Sequence, residues 1–333
     1  MTVIYHEEDG NLAALQGKRV NILGYGNMGR PIAFNLRDSG VSVIVSEPRP
    51  EKISQAELEG FLVKPIEQAA AECEIIMPLL RDEDMPKVYL ESVSPHLRRG
   101  QALIFSSSYN IAFGFIEAPP FVDVGLVSAK TLGHAVRERF VDGQGFASFV
   151  AVAQDATRTA WDTVLALAKA MGALRGGAVE IRFEQETELD LFVQQAILPM
   201  FHSAVILAAR LLIETGYPPE AVFTELYLSG ETSDYLRQVS QQGMMNALQL
   251  NSLVAQFGML SRFDRFNDLK MERTMELTLN DIRNGRFAQE WAKESSADYA
   301  RLRQMLKQRQ AMDIWELEQQ TLELLRTNGY SGG

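Results

Sequence analysis

The chain has 333 residues, enough for two domains with cores of their own. Its formal net charge of −11 argues against nucleic acid or an anionic membrane surface as a partner. A single cysteine, Cys73, rules out an internal disulfide and suits a reducing cytoplasm.

Residues 1–10 carry Glu7, Glu8 and Asp9 and no apolar run, so no signal peptide is expected. Residues 18–23 read as the first strand. They lead into Gly24-Tyr25-Gly26-Asn27-Met28-Gly29 and then a helix over 28–38, with Gly40 as its stop. Gly24 allows a tight turn, Gly26 lets backbone amides approach a pyrophosphate, and Gly29 lets helix pack closely on strand. The helix N-terminus offers unpaired N–H groups and a positive dipole end to phosphates. The second strand, 41–46, is followed by Glu47, placed to bond the hydroxyls of an adenosine ribose. Strand, glycine turn, helix and acid together point to dinucleotide binding.

Strands are next expected at 61–63, 74–80, 102–105, 122–129, 149–153 and 179–183. Helices are expected at 67–71, 85–92 and 156–171. This alternation predicts a doubly wound parallel sheet, whose ligands sit beyond the C-terminal strand ends. That rule marks Ser107 in the loop after 102–105, and Lys130 at the end of 122–129.

From Glu184 onward the strand signals stop, so the chain reads as a Rossmann domain over 1–183 and an all-α domain over 184–333. Helices are expected at 186–215, 219–242, 244–256, 271–285, 287–294, 298–309 and 313–327. The apolar stretch 192–213 is interrupted by Gln194, Gln195, Pro199, His202 and Arg210, and reads as a buried helix, not a membrane span. Asp190 and Gln194, four apart, share a helix face, and Glu225 and Ser229 repeat that spacing. Asp190 lies among Leu189, Leu191, Phe192 and Val193, where an acid wants a metal, a cation or a donor. Taken alone, these pairs equally fit capped or solvated acids.

Several stretches together resemble the short form of ketol-acid reductoisomerase (acetohydroxyacid isomeroreductase). They are the glycine turn, Asn35-Leu36-Arg37-Asp38-Ser39-Gly40, Asn110-Ile111-Ala112-Phe113-Gly114, Lys130 with Gly133-His134-Ala135-Val136-Arg137, Gln154-Asp155-Ala156-Thr157, Glu186-Thr187-Glu188-Leu189-Asp190-Leu191-Phe192 and Ala255-Gln256-Phe257-Gly258. The resemblance implies a Rossmann domain followed by a knotted helical domain. It implies a homodimer with shared active sites, or a higher oligomer, that reduces and rearranges 2-acetolactate with NADPH and two Mg²⁺. It places Gly24 to Gly29, Leu80, Ser107 and Gly133 at the cofactor, and lets Arg49 and Lys52 hold a phosphate. Asp190 falls on the carboxylate that bridges both metals, and Glu225 on a ligand from the partner chain. Ser252 matches the serine that holds the substrate carboxylate. Lys130 is kept as a catalytic residue. Departures fall at Gln194 and Ser229, where the family has ligand glutamates, and at Ser107, where it has a histidine.

Four carboxylates balance two magnesium ions, whereas Asp190 and Glu225 with a glutamine and a serine leave the site about two charges short. A single Mg²⁺ on Asp190 and Glu225 stays open, and a tight pair is disfavoured. The alkyl shift depends on metals that polarise the ketone, whereas hydride delivery to C=O or C=N needs a nicotinamide cofactor and an acid such as Lys130. The leading expectation is therefore an NAD(P)H-dependent reductase of a 2-keto acid, ketol acid or related imine that lacks efficient isomerisation. The alternatives are a full ketol-acid reductoisomerase and a non-catalytic dinucleotide-binding sensor. Glu47 favours NADH, since a 2′-phosphate would meet its charge.

Overall fold

The computed structural model describes residues 2–266 and 269–327. It divides into two compact units, Met1–Asp190 and Leu191–Gly333.

The first unit is built on one nine-stranded sheet. Its strands are β1 (Ile4–Tyr5), β2 (Arg19–Leu23), β3 (Ser42–Ser46), β4 (Leu62–Val63), β5 (Ile75–Pro78), β6 (Ala102–Phe105), β7 (Asp123–Ala129), β8 (Ser148–Gln154) and β9 (Ala178–Glu180). They lie in the order β1-β9-β8-β7-β6-β5-β2-β3-β4. From β2 the chain moves outward through β3 and β4, then returns to the other side of β2 for β5, β6 and β7, all parallel. The C-terminal ends of β2 and β5 therefore flank a topological switch point, where such sheets bind ligands. Central strands read as continuous apolar runs because both faces are covered. Ile75, Ile76 and Met77 of β5 and all four residues of β6 are buried.

The sheet is not wholly parallel. β8 runs antiparallel to β7, β9 follows β8 in parallel, and β1 closes the edge antiparallel to β9. The reason lies in a helix the sequence reading does not anticipate, Gly133–Val141. It packs against the Gly29–Asp38 helix, and the chain re-enters the sheet from the end at which it left, pairing Ala129 with Ser148. Asn35 binds these pieces together. Its amide nitrogen donates to the carbonyls of Val136 (3.2 Å) and Met171 (3.0 Å), and its oxygen accepts from Arg137. The expected strand at 179–183 ends at Glu180, and Phe183 instead opens a helix, Phe183–Phe192.

The second unit contains only helices among its described residues. They include Leu198–Glu214, Pro219–Phe223, Glu231–Gln242, Met244–Leu248, Leu253–Leu260, Leu269–Arg283, Arg286–Ser296, Ala300–Gln310 and Ile314–Thr327. The helix expected over 219–242 is broken. It widens into a π-turn at Thr224–Leu228 and stops at Gly230, whose φ of 85° suits glycine. The helix expected over 244–256 is likewise two, with Ser252 capping the second. The apolar stretch 192–213 is not buried as expected. By length and composition alone Phe183–Glu214 is apolar enough to cross a membrane, yet only 11% of its apolar window is covered. Its apolar residues occupy every face, and the buried core it contributes to gathers around Ala209, Val222, Phe223 and Ile314. The predicted end of the helical domain, residue 333, lies outside the described residues.

Candidate active site

The glycine turn is shaped by close approaches. Gly24 has a φ of 108°, and a Cβ there would meet the Leu79 carbonyl oxygen at 2.7 Å and the Leu80 nitrogen at 3.0 Å. A Cβ on Gly29 would come within 1.8 Å of the Gly24 oxygen, so strand and helix touch backbone to backbone. Gly133 bears on the same loop, because its Cβ would lie 2.1 Å from the Asn27 oxygen. Gly26 is open, the nearest neighbour of its Cβ being Arg49 Nη2 at 3.8 Å. The Gly29–Asp38 helix starts after Met28 without a side-chain cap. These residues fit a dinucleotide pyrophosphate: a hollow free of side chains faces an uncapped helix N-terminus.

Tyr25 points inward, its ring fully buried against Phe61 and its hydroxyl donating to Glu59 at 2.5 Å. The buried Glu47 accepts the Tyr25 N–H at 2.6 Å and binds Arg49 through both oxygens. Burial alone would push the Glu47 carboxyl up, but the Arg49 guanidinium and two backbone N–H groups outweigh it and hold it below the ordinary range. Lys52 donates to Gln55 at 2.9 Å.

A second cluster forms where β6, β7 and the Phe183–Phe192 helix meet, with Glu186 at its centre. Its Oε1 accepts from Lys130 Nζ at 2.7 Å and Ser128 Oγ at 2.8 Å. Its Oε2 accepts from the Ser108 N–H at 3.0 Å and Ser108 Oγ at 2.5 Å. Thr187 Oγ1 lies 2.5 Å from Ser108 Oγ and completes the chain of hydroxyls. Lys130 Nζ also stands 3.8 Å from Asp190 and 4.9 Å from the centre of the Phe149 ring. Burial pushes Glu186 up, yet Lys130 and the Ser108 donors bring its carboxyl below the usual range. Burial raises Asp190, with Lys130 opposing and Glu186 adding. Asp82, after β5, is pushed up to about 6 by burial, with Glu83, Asp190 and Glu186 adding. The arrangement is an ammonium clamped by a saturated carboxylate, with further acids beside it. It suits proton donation to a developing alkoxide.

Lys130 and Asp190 thus come together, as the sequence reading expects of site residues. Ser107 is one place away from the contact: its Oγ accepts the Tyr109 N–H at 3.3 Å, while Ser108 reaches Glu186. Glu225, Gln194, Ser229 and Ser252 belong to the second unit. Gln194 and Glu225 both lie in π-turns, Val193–Ile197 and Thr224–Leu228, wide turns that often accompany functional sites. Ser229 accepts the Glu231 N–H, and Ser252 accepts that of Ala255.

Glu186, Ser108, Ser128 and Asp82 escape the sequence reading. Glu186 has a usable signal, since it precedes Asp190 by four and shares its helix face. Ser128 is a polar residue at the C-terminal end of an apolar strand, which is also a usable mark. Among the described residues no three His, Cys, Asp or Glu side chains converge as a metal-binding group. In the first unit the Asp190 carboxylate faces an ammonium; in the second, Gln194 and Ser229 are neutral side chains that give a divalent cation no balancing charge.

Residues 14–177 match the family model described as acetohydroxy acid isomeroreductase, NADPH-binding domain, and residues 183–327 match ketol-acid reductoisomerase, C-terminal domain. The structure is similar to an NADH-preferring ketol-acid reductoisomerase from an uncultured archaeon. The TM-score is 0.90 at 31% identity, covering 97% of this chain and 99% of the other. A semialdehyde dehydrogenase NAD-binding protein from Cupriavidus necator has a TM-score of 0.62 at 16% identity, covering 81% of this chain and 99% of that one. A pyrroline-5-carboxylate reductase from Coxiella burnetii has a TM-score of 0.57 at 11% identity, covering 80% and 98%. The last two likenesses concern the fold alone.

Proposed function

The chain belongs to the ketol-acid reductoisomerase family, an NAD(P)H-dependent oxidoreductase acting on C=O or C=N, and on that premise we propose that it reduces without efficiently isomerising. The substrate class is a 2-keto acid, a ketol acid or a related imine. The observation that carries this reading is the saturated Lys130–Glu186 pair standing beside Asp190, in a chain whose sequence has Gln194 and Ser229 where the family has glutamates.

A nicotinamide bound at the glycine turn supplies the hydride. Lys130 supplies the proton to the substrate oxygen or nitrogen, and Glu186 keeps that ammonium aimed. Ser108 and Ser128 hold Glu186 and leave it no free lone pair with which to compete for substrate. Asp190 stands 3.8 Å from that ammonium and adds a second negative group beside it. In this reading neutral Gln194 and Ser229 bond substrate polar groups, Ser252 holds its carboxylate, and Glu225 comes from a second chain. Gly24 to Gly29, Leu80 and Gly133 form the cofactor cradle, and Ser107 borders it. The NADH preference of the similar archaeal enzyme and the buried charge of Glu47 both favour NADH here.

We read the assembly as a cytoplasmic homodimer, with a second copy, not lipid, covering the apolar helices of the second unit. Full ketol-acid reductoisomerase activity is the second reading, favoured by 31% identity over 97% of the chain to an enzyme of that name. The test is turnover of 2-acetolactate in Mg²⁺ beside reduction of 3-hydroxy-3-methyl-2-oxobutanoate. Reduction of the latter alone is expected. Turnover of both establishes the second reading. Failure of both, with cofactor still bound, means that the substrate is another compound or that the protein is no enzyme.

A further inference from the structure

The acid that a dinucleotide fold ordinarily offers to the ribose is engaged elsewhere here. Glu47 Oε2 accepts the Tyr25 N–H at 2.6 Å and Arg49 Nη2 at 2.9 Å. Its Oε1 accepts Arg49 Nε at 2.8 Å and the Arg49 N–H at 3.1 Å. Four donors therefore occupy one buried carboxylate, about as many as its lone pairs accommodate. Tyr25 is held from its other end through Glu59, which also pairs with Arg30 at 2.9 Å. The turn is thus strung between two acids, Glu47 on its backbone and Glu59 on its side chain. Arg49 differs from Glu47 in exposure: its side chain is 46% exposed while that of Glu47 is fully covered. The guanidinium consequently stands on the open side of Gly26 with its charge balanced from beneath.

We propose that Glu47 is a positioning residue that sets cofactor choice through Arg49. It locks the guanidinium over the glycine turn in a neutral pair, so the site takes an adenosine with free ribose hydroxyls and rejects a 2′-phosphate. Gripping that phosphate takes a cation with charge to spare, and here Nε and Nη2 already face a buried carboxylate that neutralises it, so the remaining edge offers N–H donors without net charge. Pulling Arg49 away would strand Glu47 buried and unpaired. A hydroxyl needs only single N–H donors, which the outer edge of the guanidinium still offers. The inference rests on the reading that this turn binds a nicotinamide dinucleotide.

The experiment measures Kd for NADH and NADPH with the full-length wild-type protein, Glu47→Gln, Arg49→Met and the double variant. Glu47→Gln is expected to shift the NADPH:NADH affinity ratio toward NADPH by about tenfold, as the guanidinium charge is released. In the Arg49→Met background the same change is expected to shift nothing, because Glu47 acts through Arg49. A shift that persists undiminished in that background shows direct contact with the ribose and overturns the inference while leaving cofactor binding intact. A wild-type measurement stands beside this in case Glu47→Gln does not fold. Kd for both cofactors should rise with salt in parallel, whereas a steeper rise for NADPH reveals a free cation at the 2′-phosphate and overturns the inference. Binding of neither cofactor overturns the functional reading and this inference with it.

Discussion

In the first unit Ile22, Met77, Leu103 and Ile104 are wholly buried, and the buried acids Glu47, Asp123 and Glu186 each have donors. In the second, Leu253, Val254, Phe257 and Phe266 stand between 71% and 83% exposed on the single chain. A sheet satisfies its own backbone and buries its own side chains, so its sequence describes a finished object. The helical unit leaves large apolar side chains open to water, the kind of surface that proteins use for binding. The residues of the proposed chemistry follow the same division: Lys130 and Glu186 are fixed within the first unit, whereas Glu225 and Ser252 stand exposed in the second.

The sharpest way to break this contrast is Lys130→Ala. Turnover should fall by about 10²–10⁴-fold with the loss of a general acid, while cofactor Kd holds, which kinetics and a binding titration will show together. A collapse of cofactor binding instead would make Lys130 a phosphate contact. The same variant strands Glu186, and the first unit should lose roughly 3 kcal/mol in a denaturant titration. Phe257→Asp probes the other side of the contrast. If a second chain covers that helix, light scattering should show association weakened by about 2 kcal/mol or more, with the sheet unit still melting as before. An unchanged mass would leave the exposed helices unexplained.

A subtler probe is acid. Glu47 has its folded pKa below the ordinary value of about 4.3, so the pair stabilises the fold above that pH and the benefit is lost as pH falls through the folded value. Stability measured against pH should show this acid limb, and Glu47→Gln should flatten it. The smallest effect is expected at Ser252→Ala, which removes the cap of Leu253–Leu260 and should cost about 1 kcal/mol of the helical unit alone.

The sequence made the sheet unit legible because its signals are local. Gly24, Gly26 and Gly29 sit where a turn requires them, and β5 and β6 are apolar without interruption. The antiparallel return of β8 was hidden, since it depends on the Gly133–Val141 helix resting on another helix, and no local pattern announces a resting place. Gly230 and Ser252 show why helices were overextended: a stop by left-handed glycine and a restart by a serine cap look unremarkable inside an apolar period. At the candidate site Lys130 and Asp190 were found from strand end and family motif. Glu186 was missed although it lies in the same motif, because a buried acid reveals its partner only when β6 and β7 bring Ser108 and Ser128 to it.

Asn35 carries a consequence for time. Its amide is satisfied by Val136 and Met171, separated from it by 101 and 136 residues. A ribosome adding 5–20 residues per second needs roughly ten seconds to deliver the second carbonyl after the asparagine has emerged. Until then the first helix can form but cannot be fastened, and the Asn35 amide has only water or a chaperone to meet. The helix that follows the glycine turn is therefore synthesised early and secured last, when nearly the whole sheet unit has left the tunnel.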